Sequence, residues 1–506
     1  MTVVIDTLSR RTTGSSAPGA ARPARPSAAG AGDPGPGKPL YKKREPIYPK
    51  LVHGPWRTLK WAVLGLLLGV YYVMPWIRWE RPGDLPDQAA LVDFATGRFY
   101  FFGLQLWAQE VYFITGAMIA AALVLYLVTA LFGRLWCGYA CPQTVWTDLY
   151  IAVERLFEGD RNARMRLDRA PLSFNKVWRK GGKHLVWILI ALGTGGAWAL
   201  YFHDAPTLWG QFWTGEAEAT AYLSVGVLTG TTYWLAGHMR EQVCTYMCPW
   251  PRIQGAMLDQ DSLQVTYRYD RGEPRGPHKK GQPWEGRGDC IDCKACVVAC
   301  PMGIDIRNGP QLECINCTLC MDACDDIMAR VGRPRGLIGF DTDAAVLARS
   351  QGQKAVYRFV RGRTIYYAVA LTAVAGIMGW GLFFGRAALD LSVMRDRNPT
   401  YVQLKDGSIR NGYTLRLSNK MQQARDLVVA FEGPAGARLQ AVGMPDGPIT
   451  ATVESAKVRT VRVFVIVPAA ALSDHSTPAA FVLKDAESGA ADRVKTVFLS
   501  PGESAR

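Results

Sequence analysis

The sequence predicts a multi-domain membrane protein with three parts: an α-helical transmembrane bundle of about five spans, a cysteine-rich module, and a C-terminal all-β domain. Three observations lead to this fold class. Five apolar stretches approach bilayer length, eight of the twelve cysteines fall within 290–324, and the last part of the chain alternates polar with β-branched residues. The composition agrees, because 49% hydrophobic residues suit a membrane bundle and 20% charged residues require polar domains beside it.

The first 45 residues are rich in Ala, Gly, Pro, Ser and Arg and have no apolar periodicity. Such a segment buries too little apolar surface to offset its ordering entropy, so 1–45 is predicted to be a disordered tail. Arg10 and Arg11 form a twin-arginine pair, but no apolar segment follows until about residue 59. An export signal is therefore not expected.

The apolar stretches predict the membrane region. Each approaches the roughly 20 residues that a helix needs to cross a bilayer. The predicted spans are 59–77, 111–132, 185–202, 219–237 and 365–385. The region 46–255 therefore holds four spans, and 365–385 forms the last transmembrane helix.

The distribution of Lys and Arg among the loops predicts the orientation of the chain in the membrane. These basic residues crowd the loop between the second and third spans, whereas the loop between the third and fourth spans has Asp204, Glu216 and Glu218 and no Lys or Arg. Short loops rich in Lys and Arg face the cytoplasm. We therefore expect the N-terminus and the cysteine module in the cytoplasm and the C-terminal domain in the periplasm of a bacterial inner membrane. The net charge of +15 then follows membrane topology, and no nucleic-acid partner is expected.

The cysteine module carries two runs with the spacing Cys-x2-Cys-x2-Cys-x3-Cys, separated by thirteen residues. Two-residue gaps let three thiolates bind one iron-sulfur cubane, while the fourth thiolate reaches the neighbouring cubane. The first cluster is assigned to Cys290, Cys293, Cys296 and Cys324, and the second to Cys314, Cys317, Cys320 and Cys300. The alternatives are a pair of zinc sites and a disulfide framework. Residues 256–364 are thus predicted to form a two-cluster ferredoxin-like domain with its linkers, similar to the bacterial two-cluster ferredoxins except that Asp325 stands in place of the usual proline.

The other four cysteines form two pairs in a diverged internal repeat, Cys-x-Tyr-x-Cys-Pro. The pairs are Cys137/Cys141 and Cys244/Cys248, each following a predicted span. If the residues between them are helical, the i, i+4 spacing places both sulfurs on one face, where they suit a soft ion such as Cu(I). A four-sulfur site for zinc or a further iron-sulfur cluster, a thiol-disulfide couple and inert packing are the alternatives. Met247 is a further candidate soft ligand.

The C-terminal region, 386–506, contains short segments that alternate polar with β-branched residues between Gly, Pro and Asp turns. This pattern predicts an immunoglobulin-like sandwich. The region has no cysteine, and its one histidine, His475, lies in a polar loop. We therefore expect it to bind or stabilise a partner rather than to catalyse a reaction.

The twin Cys-x-x-x-Cys-Pro motifs, the two-cluster module, the last span and the β-rich tail, in this order, resemble the CcoG/FixG/RdxA accessory proteins of cytochrome oxidase assembly. Single parts are also similar to the NapH and NosR electron-transfer proteins. The resemblance implies a membrane cupric reductase that supplies Cu(I) to a cbb-type haem-copper oxidase. It implies copper at Cys137, Cys141, Cys244 and Cys248, as the catalytic residues, and two [4Fe-4S] clusters on the other eight cysteines.

Single-electron chemistry fits this reading, since cubane clusters pass one electron and Cu(II) needs one. The sequence carries no convincing glycine-rich dinucleotide fingerprint, so we expect the electron to come from a soluble reductant, a partner protein or membrane quinol, among which the sequence does not choose. The expected partners are copper ions, oxidase assembly factors or copper transporters and chaperones, membrane lipid and a second copy of the chain in a homodimer. The alternatives are a NapH/NosR-like protein that oxidises quinol and a copper chaperone whose clusters are structural.

Overall fold

The computed structural model describes residues 46–81, 85–279, 281–386, 389–421, 423–443, 449–455, 457–472 and 474–501. The predicted tail at 1–45 lies outside these residues. The chain divides into two compact units. The first unit comprises Met1–Pro75 and Met118–Leu371, and the second comprises Trp76–Ala117 and Thr372–Arg506.

The helices are α1 (Pro55–Val73), α2 (Val111–Phe132), α3 (Leu135–Tyr139), α4 (Pro142–Glu158), α5 (Arg161–Arg169), α6 (Phe174–Ala199), α7 (Ala205–Thr214), α8 (Ala219–Thr232), α9 (Trp250–Met257), α10 (Tyr269–Gly272), α11 (Ala295–Ala299), α12 (Leu319–Arg330), α13 (Asp343–Ser350) and α14 (Gly362–Phe383). Two π-helical turns, Tyr233–Met239 and Val243–Met247, follow α8.

Three helical segments are long and apolar enough to cross a membrane: Pro55–Trp76, Ala108–Phe132 and Gly362–Phe383. They match the first, second and fifth predicted spans. The third predicted span falls in α6, whose N-terminal part is basic and whose apolar part is short. The fourth falls in α8, which ends after 14 residues where the π-helical turn begins. The count of five spans stays a prediction.

Within the first unit, α4 and α6 are held together by a buried aromatic pair and by buried charges. The rings of Tyr150 and Trp187 stack at 5.0 Å, and each side chain donates a hydrogen bond to the other's backbone carbonyl. Glu154 is 3% exposed and pairs with Arg164 on α5 and with Arg240 after the π-helical turn. Buried charges persist only where they are paired in this way.

The cysteine module is closed by strands β4 (Gln264–Tyr267) and β5 (Ile338–Asp341), which pair antiparallel and bring its two ends together. Asp322 on α12 attaches the module to α1, because its carboxylate accepts the backbone N–H of Arg57 at 2.7 Å. A carboxylate at a helix N-terminus accepts a hydrogen bond from an otherwise unpaired backbone N–H, and its negative charge interacts favourably with the positive end of the helix dipole.

The second unit is built from β-strands. They are β1 (Ala90–Asp93), β2 (Arg98–Phe101), β3 (Leu104–Trp107), β6 (Leu389–Arg395), β7 (Val402–Gln403), β8 (Ile409–Asn419), β9 (Arg425–Glu432), β10 (Arg438–Ala441), β11 (Ile449–Val453), β12 (Val458–Val467), β13 (Ser476–Asp485) and β14 (Ala491–Leu499). Strands β1 to β3 form an antiparallel sheet that the sequence analysis did not identify.

The remaining strands form the predicted sandwich. One sheet has the order β10-β12-β8-β6, with β7 also paired to β8, and the other has the order β11-β9-β13-β14. Alternate residues of both sheets point inward, as an aligned sandwich requires. Tyr413 on β8 is fully buried, and its hydroxyl donates to the carbonyl of Val497 on β14 at 2.8 Å, which ties the two sheets together.

A buried ion pair also lies in the second unit. Glu110, at the start of α2, is 3% exposed and accepts hydrogen bonds from Arg386 at 2.8 and 3.1 Å. Lys420 lies 3.6 Å from the same carboxylate. The sequence analysis did not identify this contact, which joins residues almost three hundred positions apart.

Candidate iron-sulfur and four-thiol site

Two loops of the same backbone shape carry the first cysteines of the two runs. In each loop the residues before and after the second cysteine have positive φ: Asp292 (54°) and Lys294 (55°) in the first run, Asn316 (52°) and Thr318 (63°) in the second. Residues other than glycine rarely adopt this conformation, which costs about 1–3 kcal/mol and clusters at functional sites. The two runs are therefore structural repeats, with α11 and α12 starting at equivalent positions.

Two neighbouring cavities lie between these loops and helices. One, named here the outer cavity, is lined by Cys290, Cys293, Cys296 and Cys324. The other, named here the inner cavity, is lined by Cys300, Cys314, Cys317 and Cys320, with Cys296 at its boundary. The thiols are thus grouped crosswise, three from one run and the last from the other, as the spacing predicts.

The donors in both cavities suit a soft metal cluster. All twelve cysteines, which the structure describes in full, are free thiols. Burial raises the pKa of Cys296 and Cys314 to about 11, and burial also raises the pKa of Cys320 and Cys324. Buried thiols in this state become thiolates only when a cation compensates their charge. A cluster of iron and sulfide meets that requirement, and these residues fit it.

The two Cys-x-Tyr-x-Cys-Pro motifs also repeat in three dimensions. The backbone N–H of Cys141 donates to the carbonyl of Trp136 at 2.9 Å, and that of Cys248 donates to the carbonyl of Val243 at 2.8 Å. In each motif the acceptor is the residue before the first cysteine, and the second cysteine is extended. The expected uninterrupted helix is therefore replaced by one turn that ends before the second cysteine, which the following proline favours.

Helix α4 brings the two motifs together. The side-chain amide of Gln143, two residues after Cys141, donates to the carbonyls of Leu235 and Arg240 at 2.9 and 3.2 Å. These carbonyls belong to the π-helical turn that precedes the second motif and to the residue after it. The connection from α4 to this turn sets the position of the chain that leads to Cys244.

Cys137, Cys141, Cys244 and Cys248, named here the four-thiol site, lie close enough to act on one another electrostatically. Burial, reinforced by the neighbouring thiols, raises the pKa of both Cys137 and Cys244 to about 12. Among the described residues, no three His, Cys, Asp or Glu side chains stand in the geometry of a single-ion site. Binding one ion with several of these sulfurs therefore requires their side chains to turn toward it.

The four-thiol site adjoins the inner cavity. Cys137 packs against the buried cluster of Ile315, Cys317 and Leu319. A Cβ atom at Gly138 would stand 2.6 Å from the carbonyl oxygen of Ile315, so only glycine permits this close approach. The turn that carries Cys137 therefore lies directly on the loop that carries Cys317.

Four further residues connect these parts, and no role at the site was predicted from the sequence for Arg134, Gln254 or Thr318. Arg134 is 4% exposed, donates to the carbonyls of Leu312 and Pro251, and lies 3.5 Å from the carbonyl of Cys314. The thiol of Cys137 donates to the side-chain carbonyl of the fully buried Gln254 at 3.1 Å. Tyr139 and Thr318 share a hydrogen bond at 2.6 Å. The sequence carried one signal for these residues, which is that polar side chains lie beside the cysteine motifs.

The remaining candidate ligands lie in different surroundings. Met247 is 57% exposed, unlike the four partly buried cysteines of the four-thiol site. The rings of His184 and His238 stack at 5.9 Å and contact Trp187 and Tyr233. The hydroxyl of Tyr233 shares a hydrogen bond with Nδ1 of His184 at 3.0 Å. This aromatic environment favours a packing role for the two histidines.

Comparison with protein-family models defines the class of protein. A model described as a 4Fe-4S dicluster domain matches 239–343, and one described as a 4Fe-4S binding domain matches 114–158. A third, described as an IG-like fold at the C-terminal of FixG, matches 378–501. Together with the apolar helices, these matches identify a membrane-associated iron-sulfur protein of an oxidoreductase family, with support for two clusters and with an immunoglobulin-like C-terminal domain.

The similar proteins define the family. The chain is 46% identical to nitrogen fixation protein FixG of Rhizobium meliloti over 92% of this chain and 95% of that protein. It is 49% identical to protein RdxB of Cereibacter sphaeroides, covering 87% and 91% of the two chains, and 51% identical to protein RdxA of the same organism, covering 79% and 85%. The chain belongs to the FixG/RdxA family. A crystal structure of a FixG-related protein from Vibrio parahaemolyticus matches 23% of this chain and 99% of its own at 23% identity, with a TM-score of 0.21.

Proposed function

We propose that this chain reduces Cu(II) to Cu(I) at the four-thiol site and supplies Cu(I) for assembly of a cbb-type haem-copper oxidase. The observation that carries the proposal is the packing of Cys137 against the loop of Cys317, which places a soft-ligand site beside the inner cavity. In this reading Cys137, Cys141, Cys244 and Cys248 bind the copper substrate. Thiolate ligands favour Cu(I) over Cu(II), so the site stabilises the product of the reduction.

The other eight cysteines serve the supply of electrons. Cys290, Cys293, Cys296 and Cys324 would hold one [4Fe-4S] cluster in the outer cavity, and Cys300, Cys314, Cys317 and Cys320 a second one in the inner cavity. When bound, such clusters supply single electrons at potentials that the protein sets. The protein's own contribution is burial, which excludes water, and the guanidinium of Arg134 between the inner cavity and the four-thiol site.

The membrane arrangement is part of the proposal. With α6 and the segment from α8 through the following π-helical turn as the third and fourth spans, the chain crosses five times. The positive loops then place the cysteine module in the cytoplasm and the C-terminal domain in the periplasm. Copper would be reduced on the cytoplasmic side, where a reducing compartment also protects the thiols.

The test uses the purified full-length chain prepared without oxygen. The chain is reduced with dithionite and the excess is removed by desalting. Cu(II) is then added with a Cu(I)-specific chelator as the readout, and the wild type is compared with a variant in which Cys137, Cys141, Cys244 and Cys248 are all serine. We expect copper reduction to be lost while about eight iron atoms per chain are retained, as two [4Fe-4S] clusters require. Copper reduction at the wild-type rate in the serine variant would overturn the proposal.

The iron content of the same variant separates copper from an alternative. The family model for 4Fe-4S binding at 114–158 includes Cys137 and Cys141. If the serine variant loses iron that the wild type carries beyond the two clusters, the four-thiol site holds a further iron-sulfur cluster and not copper. Bleaching of the wild-type clusters by added quinol would instead favour a quinol-oxidising electron-transfer protein.

A further inference from the structure

The outer cavity has a cysteine at the protein surface, whereas the inner cavity has none. Of the twelve cysteines, all described by the structure, Cys293 alone is exposed, and it lines the outer cavity. None of the cysteines that line the inner cavity is exposed, and that cavity adjoins the four-thiol site. The protein surface around Cys293 is therefore where an external electron donor can come closest to the outer cavity.

Exposed cations lie close to Cys293. Lys294 follows it directly in the sequence and is exposed. Arg275 is also exposed and acts electrostatically on the carboxylates of Asp292 and Asp305. These two carboxylates share the guanidinium of Arg307, which offsets one of their two negative charges.

The neighbouring carboxylates are largely paired, and several cations are not. Asp289 is buried and pairs with both Arg271 and Arg333. Among the described residues no carboxylate lies within ion-pair distance of four cations of this region, which are Lys279, Arg287, Lys294 and Arg335. The surface near Cys293 therefore keeps positive charge that no carboxylate neutralises at ion-pair distance.

This cationic surface is attached rigidly to the outer cavity. The N–H of Gly276 donates to the carbonyl of Cys290 at 3.1 Å, and the N–H of Cys290 donates back to the carbonyl of Gly272 at 3.4 Å. The guanidinium of Arg287 bonds the carbonyls of Gly276 and Pro277, and the guanidinium of Arg333 lies 4.9 Å over the ring of Trp284. The described residues 273–279 and 281–288 are thus held beside a cluster ligand.

We propose that the surface formed by Arg275, Lys279, Arg287, Cys293 and Lys294 binds a small acidic carrier protein that donates one electron at a time. This inference rests on the proposed copper reduction, whose electron donor it specifies by chemistry. The reduced carrier loses one electron, the chain accepts it at the outer cavity, and one Cu(II) becomes one Cu(I), with no proton or bond exchanged. Charge complementarity between this positive surface and an acidic carrier orients and accelerates the encounter of the two proteins.

The experiment measures binding separately from copper chemistry. The full-length chain in nanodiscs is immobilised, and association of an acidic plant-type [2Fe-2S] ferredoxin is recorded at low and high salt. The variant combines Arg275→Glu, Lys279→Glu and Lys294→Glu, and Lys405→Glu in the C-terminal domain is the control for a charge reversal on an exposed lysine. We expect the triple variant to associate about ten-fold more slowly or worse at low salt, the control to match the wild type, and high salt to remove the difference.

The outcomes distinguish the two proposals. Absence of ferredoxin binding to the wild type, or equal binding by the wild type and the triple variant, overturns the carrier surface. Equal binding of a basic carrier, cytochrome c, overturns it as well, because positive charge would then not select the partner. Copper reduction by chains that were first reduced with dithionite and then desalted should be the same in the wild type and the triple variant. Failure of that reaction in both counts against copper reduction and not against the carrier surface.

Discussion

Gly138 offers a sharp test of the contact between the four-thiol site and the inner cavity. Its φ is not positive, so alanine fits the backbone and, in open space, would stabilise the helix by about 0.5–1 kcal/mol. At this position, however, the new methyl group would meet the carbonyl oxygens of Ile315 and Asn316 at 2.6 and 2.9 Å. Backbone atoms cannot rotate away, so the loop must retreat by about 0.8 Å to restore an ordinary contact of 3.4 Å.

The expected cost of Gly138→Ala follows from this displacement. Overpacking of this kind costs about 1–3 kcal/mol, which outweighs the gain in helix propensity. Because the displaced carbonyls lie between Cys314 and Cys317, the inner cavity should lose iron before the outer cavity does. The assay is thermal unfolding of the detergent-solubilised chain, together with the iron-to-protein ratio.

Gly181→Ala is the matched control, since Gly181 lies in α6, is exposed, and has no atom within 4 Å of its added Cβ. The control should be as stable as the wild type or slightly more stable. If Gly138→Ala unfolds at the same temperature as Gly181→Ala with full iron content, the close approach of α3 to the cysteine loop is refuted.

Three other substitutions test separate parts of the structure. Arg134→Met removes a buried positive charge and leaves the carbonyls of Leu312 and Pro251 without this donor, so we expect the free energy of unfolding to fall by about 1–3 kcal/mol. The midpoint potential of the inner cluster alone should also fall, as measured by a redox titration followed by electron paramagnetic resonance. An unchanged potential would contradict this expectation. Burial raises the pKa of Glu154, but the positive charges of Arg240, Arg164 and Lys183 outweigh this effect and hold the pKa below its ordinary value. The ionised carboxylate therefore stabilises the fold above about pH 4.5, and this stability is lost as the pH falls through the lowered pKa. Glu154→Gln should cost about 3–5 kcal/mol at pH 7 and weaken the acid dependence of unfolding, and a loss no larger than that of Asp326→Asn, at an exposed ion pair, would contradict it. Tyr413→Phe should destabilise the C-terminal domain by about 1 kcal/mol, measured as faster proteolysis of 389–501 in the full chain, and unchanged proteolysis would show that the bond to Val497 is dispensable.

The parts of the fold that depend on local patterns were predictable from the sequence. The segments that alternate around Tyr413 and Val463 are strands β8 and β12, because a half-buried sheet requires a period of two. The cysteine spacing predicted the crosswise grouping of thiols in the two cavities, since short gaps restrict which cysteines share one cluster.

The parts that depend on distant contacts were not predictable. Nothing near Gly138 in the sequence indicates that its partner is the carbonyl of Ile315, and nothing near Arg134 indicates the carbonyl of Leu312. The sheet of β1 to β3 was missed because its strands are only four residues long and carry no extended alternation. The interrupted helix between the paired cysteines was missed because the i, i+4 argument ignored the extended conformation that a following proline favours.

The ion pair between Glu110 and Arg386 limits how the C-terminal domain can be studied by deletion. A chain cut just after α14 loses Arg386 and Lys420 together, and it leaves the buried carboxylate of Glu110, next to the start of α2, without these two cations. Such an orphaned carboxylate must take up a proton or draw in water, and either event perturbs the neighbouring helix end. A defect in a protein without the C-terminal domain would therefore report on a damaged membrane helix as much as on the missing domain, unless Glu110 is neutralised in the same molecule.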